Sequence, residues 1–333
     1  MGAVADMSHS VLIYANSQGE ELQKTGEFMD CMAGRLNFKW IPLHLVTERD
    51  WSRKYGRDFF ADVVTVWEQV ETGGVSSNRA TLHERIPKNA PIIRFPPFSA
   101  TCLWPFAGND PRIATDPDRY PWPDSIAAIL ASDPLARNTR RNDTLADDTL
   151  ADDTGADATV AQNTGADDTG ADDTGAGDTG ADDELFEKYL RLTTERLPDL
   201  DRRLRLDIAR WKSADAIADI PLADWVEQTF RVTKLFHTSG HVTATAVAYL
   251  MKQLLTRTGI LTPALARAAV GEVDILLRRH TGQDFECVPI HPLVARHLNL
   301  GFYDPDATYR WHAHEWTFRQ YILHYIRWTD YLR

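Results

Sequence analysis

An apolar run that breaks into a polar turn and opens a helix at once constrains this chain more than any other segment. Val11-Leu-Ile-Tyr-Ala15 leads into Asn16-Ser17-Gln18, and Gly19-Glu-Glu-Leu22 follows without a gap. A strand that feeds a helix through so short a turn belongs to a βα unit of a parallel sheet. In open α/β sheets, ligands and nucleophiles sit at the carboxyl ends of the strands. Ser17 therefore has two readings. Its hydroxyl can cap the helix by accepting a backbone N–H. It can instead stand as a nucleophile or anion contact at the positive end of the helix dipole.

The alternation continues to residue 95. Strands are expected at Val11–Tyr14, Phe38–Val46, Asp62–Val70 and Ala90–Phe95, with helices near Gly19–Gly34, Trp51–Ala61 and Ser76–Arg85. This spacing predicts an α/β fold with a parallel, doubly wound, flavodoxin-like sheet. Residues 96–123, rich in Pro and aromatics, have the character of an irregular segment that lines a site. Helices are expected over Glu184–Lys212, Leu222–Lys234, Thr243–Thr256, Thr262–Arg279 and Trp316–Leu332, so the C-terminal half is largely helical.

Between the halves, residues 143–182 form a degenerate pentapeptide repeat of the DTGAD type. Asp, Thr, Gly and Ala cannot bury enough apolar surface to offset the entropy of ordering. Calcium-binding acidic repeats have a nine-residue period with an apolar position, which this run lacks. The expected organisation is an α/β half at 1–135, a disordered acidic insertion at 136–184, and a helical half at 185–333 that completes the same domain.

The formal charge of −12 comes from that insertion. Residues 143–184 hold 13 Asp, one Glu and no Lys or Arg, which leaves 36 basic against 34 acidic residues elsewhere. A body so nearly neutral predicts no nucleic-acid partner. Three scattered cysteines, Cys31, Cys102 and Cys287, fit a reducing compartment. With no 18-residue apolar stretch and no signal-like N-terminus, the expected location is cytoplasmic, with no transmembrane segment.

Three loops carry candidate chemistry. Ala15–Gln18 and Trp67–Val70 lie at the carboxyl ends of strands one and three, so Ser17 and Gln69 are expected on one sheet edge. A serine needs a base, and His241 in the Phe236–Thr243 loop is the candidate; its other reading is a helix cap. Asn16, Gln69 and the backbone N–H groups of Gln18 and Gly19 are candidate oxyanion donors. His237 reads as a loop or core residue, and His291 before Pro292 as a turn into a helix. The spacing of His237 and His241, with His312 and His314 further on, raises a zinc site. Gly240 interrupts any helix between the first two and no HExxH is present, so no metal is expected.

These segments in order resemble the WcbI family, capsular polysaccharide-biosynthesis proteins implicated in acetyl transfer and associated with coenzyme A. The resemblance lies in Ala15-Asn16-Ser17-Gln18, Asp62-Val-Val-Thr-Val-Trp-Glu-Gln69, Ile93-Arg-Phe-Pro96, Phe236-His-Thr-Ser-Gly-His241 and His291-Pro-Leu-Val-Ala-Arg-His-Leu-Asn-Leu300. It implies a core like that of the SGNH hydrolases, a nucleophile after strand one and a histidine from the C-terminal half. Ser17 takes the place of the family's Cys. Asn16, Gln18, Gln69 and His241 match directly. Ala15 stands for a Gly, and Val242 stands where the family often has Pro. The implied cofactor is coenzyme A, with acyl-CoA as donor and a glycan as acceptor. Gln18, Gly19, Arg79 and Arg94 would bind it, the arginines (with Arg85 and Lys88) meeting its phosphates; the other reading of these cations is a solvated helix face. The expected activity is acyl transfer to a hydroxyl of a polysaccharide or glycan precursor. A carbohydrate esterase and a non-catalytic CoA- or glycan-binding protein are the alternatives.

Overall fold

The computed structural model describes residues 9–71, 76–107, 126, 130, 179–277 and 282–327. The expected insertion lies outside them, apart from 179–184. Four strands, β1 (His9–Ala15), β2 (Leu36–Pro42), β3 (Val63–Gln69) and β4 (Ile92–Phe95), form one sheet in the order β2-β1-β3-β4. Every pairing is parallel. The chain steps from β1 to one side and crosses back to the other, so the order reverses between β1 and β3. In such sheets a crevice opens at that point, beyond the carboxyl ends of the two strands.

The residues of β1 explain why the sheet is covered on both faces. From Ser10 to Ala15 every residue is buried. Val11, Ile13 and Ala15 face one core, shared with Leu22 and the C-terminal helices. Leu12 and Tyr14 face a second core with Trp51, Tyr55, Phe60 and Leu82. A strand apolar on both faces is what a parallel, doubly wound sheet requires.

Helix α1 (Ser17–Glu27) packs on the first face, while α2 (Glu48–Arg53) and α3 (Ser77–Arg85) cover the second. α1 lies close to the strands because Gly19 has no side chain: a Cβ there would sit 2.7 Å from Trp40 Nε1 and 2.9 Å from the Ala15 Cβ. The expected helices at 19–34 and 51–61 are shorter than their periodicity suggested. Each ends in a turn of 3₁₀-helix, at Asp30–Met32 and Arg57–Phe60.

The C-terminal half contributes α4 (Thr179–Glu195), α5 (Leu200–Asp215), α6 (Ala223–Thr229), α7 (Ala244–Arg257), α8 (Pro263–Leu276), α9 (Pro292–His297) and α10 (Phe318–Arg327). The single helix expected at 184–212 is two. Pro198 disfavours helical backbone at Leu197, and Asp199 starts α5 afresh by accepting from Arg202 N at 2.8 Å. The expected helix from Trp316 is also revised. Thr308–Trp311 (β5) and His314–Thr317 (β6) make an antiparallel hairpin, and the helix opens only at Phe318. No helix among the described residues is long and apolar enough to cross a membrane.

Candidate functional site

At the carboxyl end of β1, Asn16 takes the capping role. Its Oδ1 accepts from Gln18 N at 2.9 Å, and its backbone oxygen accepts from Gly19 N at 2.8 Å. The two N–H groups expected to hold an oxyanion are thus already bonded to Asn16. Ser17 is the first residue inside the helix. Among the described residues neither its N–H nor its hydroxyl has a hydrogen-bond partner, and it is half-buried. A helix leaves its first N–H groups without intrahelical acceptors. Ser17 therefore keeps an N–H donor and a hydroxyl at the positive end of α1.

Gln69, the last residue of β3, meets Asn16 as the shared sheet edge predicts. Its Oε1 accepts from Asn16 N at 3.1 Å, and its Nε2 donates to Asn16 Oδ1 at 3.3 Å and to Gln18 Oε1 at 3.2 Å. Both amide protons of Gln69 are engaged, so in this arrangement it holds Asn16 rather than presenting a donor of its own. With Oδ1 occupied twice, the Asn16 Nδ2 is the end of that side chain left for another acceptor.

Gln18 ties this edge to the C-terminal half. Its buried side chain donates to Phe98 O at 2.7 Å and to Gly240 O at 2.9 Å, and accepts from Phe98 N at 3.1 Å. Ser17 and His241 each stand one residue from the Gln18–Gly240 bond, so the structure brings the two loops together.

The loop that carries His241 is firmly held. Thr238 Oγ1 accepts from His241 N at 3.0 Å, Ser239 O accepts from Ala100 N at 3.0 Å, and Val242 N donates to Gln283 Oε1 at 3.1 Å. Burial pushes the His241 imidazole below its ordinary pKa, which favours the neutral ring that a general base needs. His237, from the same loop, lies inward with Nδ1 3.1 Å from Cys287 Sγ. The Cys287 thiol is pushed up to about 11, chiefly by burial. His291 caps α9 by accepting from Leu293 N at 3.2 Å.

Hydrogen bonds thus link Asn16, Gln18 and Gln69 at the strand-order reversal, and Gln18 ties them to the loop that carries His241. The frame around them is similar to that of WcbI. The likeness to this solved structure has a TM-score of 0.62 at 13% sequence identity and covers 96% of this chain and 89% of WcbI. WcbI is reported as a polysaccharide biosynthesis enzyme, in a native form without a disulfide bond between CoA and one of its cysteines. At that identity the likeness is one of fold. No family model and no curated protein matches the chain.

Within this WcbI-like frame the remaining expected residues have other immediate neighbours. Gly19 faces Trp40 and Ala15 in the sheet. Arg79 is buried, with Nε 2.5 Å from Glu68 Oε1 and a nitrogen donating to Gln69 O at 2.7 Å. Arg94 has its Nε 3.4 Å from Glu68 Oε2, and 43% of its side chain remains exposed. A fully buried Glu68 demands such cations, a need the sequence concealed because Glu68 sits in the apolar strand that ends at Gln69. Glu286 was also missed. It comes 45 positions after His241 with no motif between them, yet its carboxylate lies beside the His241 ring.

Proposed function

We propose that this protein transfers an acyl group from acyl-CoA to a hydroxyl of a polysaccharide or glycan precursor, through Ser17. The observation that carries the reading is Ser17 itself. Its hydroxyl and N–H have no partner among the described residues, at the start of α1, and its neighbour Gln18 is bonded to the residue before His241, whose pKa burial lowers. His241 takes the Ser17 proton as Oγ attacks the thioester carbonyl. The tetrahedral oxyanion is met by the Ser17 N–H and the Asn16 Nδ2. Collapse releases the CoA thiol, which leaves with the proton from His241. The acceptor hydroxyl, deprotonated in turn by His241, then takes the acyl group from Ser17.

Gln69 and Gln18 are positioning residues in this scheme. Gln69 orients Asn16, and Gln18 joins the two loops. Arg94, half exposed, is the cation we assign to a CoA phosphate, while Arg79 neutralises Glu68 behind it. The resemblance of the Ala15–Gln18 turn to that of the WcbI family supports the choice of donor, as does the CoA named for WcbI.

The test is to incubate the protein with acetyl-CoA and a panel of nucleotide sugars and oligosaccharides, and to look for acetylated product and for acetyl-Ser17 by mass spectrometry. Ser17→Ala removes both, with turnover reduced by about 10³-fold or more. Its melting temperature stays within about a degree of the wild type, because the hydroxyl makes no hydrogen bond among the described residues. Turnover unchanged in Ser17→Ala would sink the covalent route. Release of acyl groups from simple esters without CoA would favour an esterase instead.

A further inference from the structure

The His241 ring has a partner that the scheme above does not use. Its Nδ1 is shielded from solvent, forms no hydrogen bond, and lies 3.6 Å from Glu286 Oε2. The other carboxylate oxygen, Oε1, lies 3.5 Å from His312 Nε2. One carboxylate thus stands between two imidazoles that come from different parts of the chain.

Each of the three is held from outside the trio. The Phe285 ring packs against His241 at 5.3 Å between centroids and against His312 at 6.3 Å. His312 has a left-handed backbone, φ 51°, at the turn of the β5–β6 hairpin, and its N–H donates to Phe285 O at 2.6 Å. Glu286 is bridged to Trp311 of that hairpin. A non-glycine residue with positive φ is uncommon and persists where surrounding structure fixes it. Here the turn sets His312 on the outer side of Glu286.

We propose that Glu286 is the positioning residue for His241. Its carboxylate orients the imidazole with Nδ1 inward and Nε2 toward Ser17, and it meets the Nδ1 proton when the ring takes a second proton from the reacting hydroxyl. This rests on the reading of Ser17 and His241 as nucleophile and base. In the resting state the contact is longer than a hydrogen bond. Protonation of the ring makes it charge-assisted, and such bonds close to about 2.8 Å. A buried N–H with no acceptor is costly, so Glu286 also selects the ring orientation in which that N–H has an acceptor to approach. Burial pushes His241 down and Glu286 up, so a proton on the ring and the charge on the carboxylate favour each other only through their contact.

His312 completes the trio on the solvent side of Glu286, with 45% of its side chain exposed. The other titratable groups on the packed segments have contacts of their own. Asp284 pairs with Arg310 at 3.4 Å, Cys287 meets His237, and Lys234 lies over the Tyr309 ring, 5.4 Å from its centroid.

The experiment follows the His241 ring by NMR titration in the full chain, in wild type, Glu286→Gln and Glu286→Asp, beside the pH profile of kcat/KM. Loss of the carboxylate removes a charge that favours the imidazolium, so Glu286→Gln lowers the His241 pKa by about one unit or more. The acid limb of the profile moves down with it. kcat falls by about 10²-fold or more while KM changes little, and Glu286→Asp restores part of both. A His241 pKa within about 0.3 of wild type in both folded variants, or a kcat unchanged in Glu286→Gln, overturns the proposal. Wild-type protein that turns over no acyl-CoA removes the reading of Ser17, and the titration still decides the coupling of Glu286 to His241. If Glu286→Gln fails to fold, Glu286→Asp, whose carboxylate is drawn back by one methylene, is expected to show a smaller loss of kcat and a smaller drop in the His241 pKa, and no change in either overturns the proposal.

Discussion

Gln18 makes four hydrogen bonds with one buried side chain, three with main-chain atoms of Phe98 and Gly240 and one accepted from Gln69 Nε2. Truncation leaves a buried N–H and two carbonyls without their partner, at about 1–3 kcal/mol for each group that water cannot reach. Gln18→Ala is therefore expected to lower the unfolding free energy by about 2–4 kcal/mol in a urea titration. It also unties the His241 loop from α1, so activity falls by more than the folded fraction does. An activity loss that merely tracks the unfolded fraction would show that Gln18 has no part in joining the loops. Asn16 shows the same economy on a smaller scale, since one amide caps the helix, accepts from Gln69 and still retains its Nδ2.

At the scale of elements, α1 depends on Gly19. A methyl group there meets Trp40 Nε1 and the Ala15 Cβ at distances no relaxed Cβ tolerates. The indole is itself fixed by a hydrogen bond to Ala15 O at 3.0 Å. Gly19→Ala should cost about 1–3 kcal/mol through overpacking, read as a lower urea midpoint with an unchanged m-value. The helix start at Ser17 moves with it, so activity drops in the fraction that remains folded.

Helix α9 carries a pH dependence. His291 caps it, contacts Thr193 Oγ1 at 3.0 Å through Nε2, and is pushed down to about 4 by burial. The folded state holds this ring neutral, while the unfolded chain protonates it near pH 6.5. Its stabilising effect is thus complete above pH 6.5 and is lost as pH falls from there to about 4, by up to about 3 kcal/mol. His291→Asn keeps a good cap and should flatten that slope. Urea midpoints at pH 7 and pH 4.5 give the comparison, and an equal slope in the variant would assign the acid sensitivity to other groups.

For the whole molecule, the core on the α1 side of the sheet joins residues of both halves: Val11, Trp67 and Phe95 from the sheet, with Tyr189, Met251 and Ile322 from the helices. The segment after β4 reinforces the union. Buried Asp207 of α5 accepts from Cys102 N at 2.7 Å, and Trp211 Nε1 donates to Ser99 O at 2.6 Å. The pentapeptide repeat lies in the chain between these partners. Loop closure depends only on the logarithm of length, so deleting four of its eight units is expected to change stability by no more than about 0.6 kcal/mol. Thermal melts of the shortened and full chains check this, and a loss of several degrees would show that the repeat packs on the body.

The division between what could be read from residues and what needed the fold follows the range of the interactions. Strands apolar on both faces, alternating with capped helices, determined the parallel sheet, and the sheet rule alone put Ser17 and Gln69 at one edge. These are local patterns, each written within a dozen residues. The sequence could not say which neighbour caps α1, because Asn16 and Ser17 are both good caps. Nor could it reveal the β5–β6 hairpin, whose turn at His312-Ala313 lacks the glycine or asparagine that usually marks one. Glu68 was hidden in an apolar strand, and Glu286 in a segment without a motif. The partners of these carboxylates are remote or follow no local pattern, and only tertiary packing brings Arg79 to Glu68 and His241 to Glu286. Chain chemistry supplied the proposed nucleophile and base; the meeting of distant loops, through Gln18 and Gly240, was decided by the tertiary structure alone.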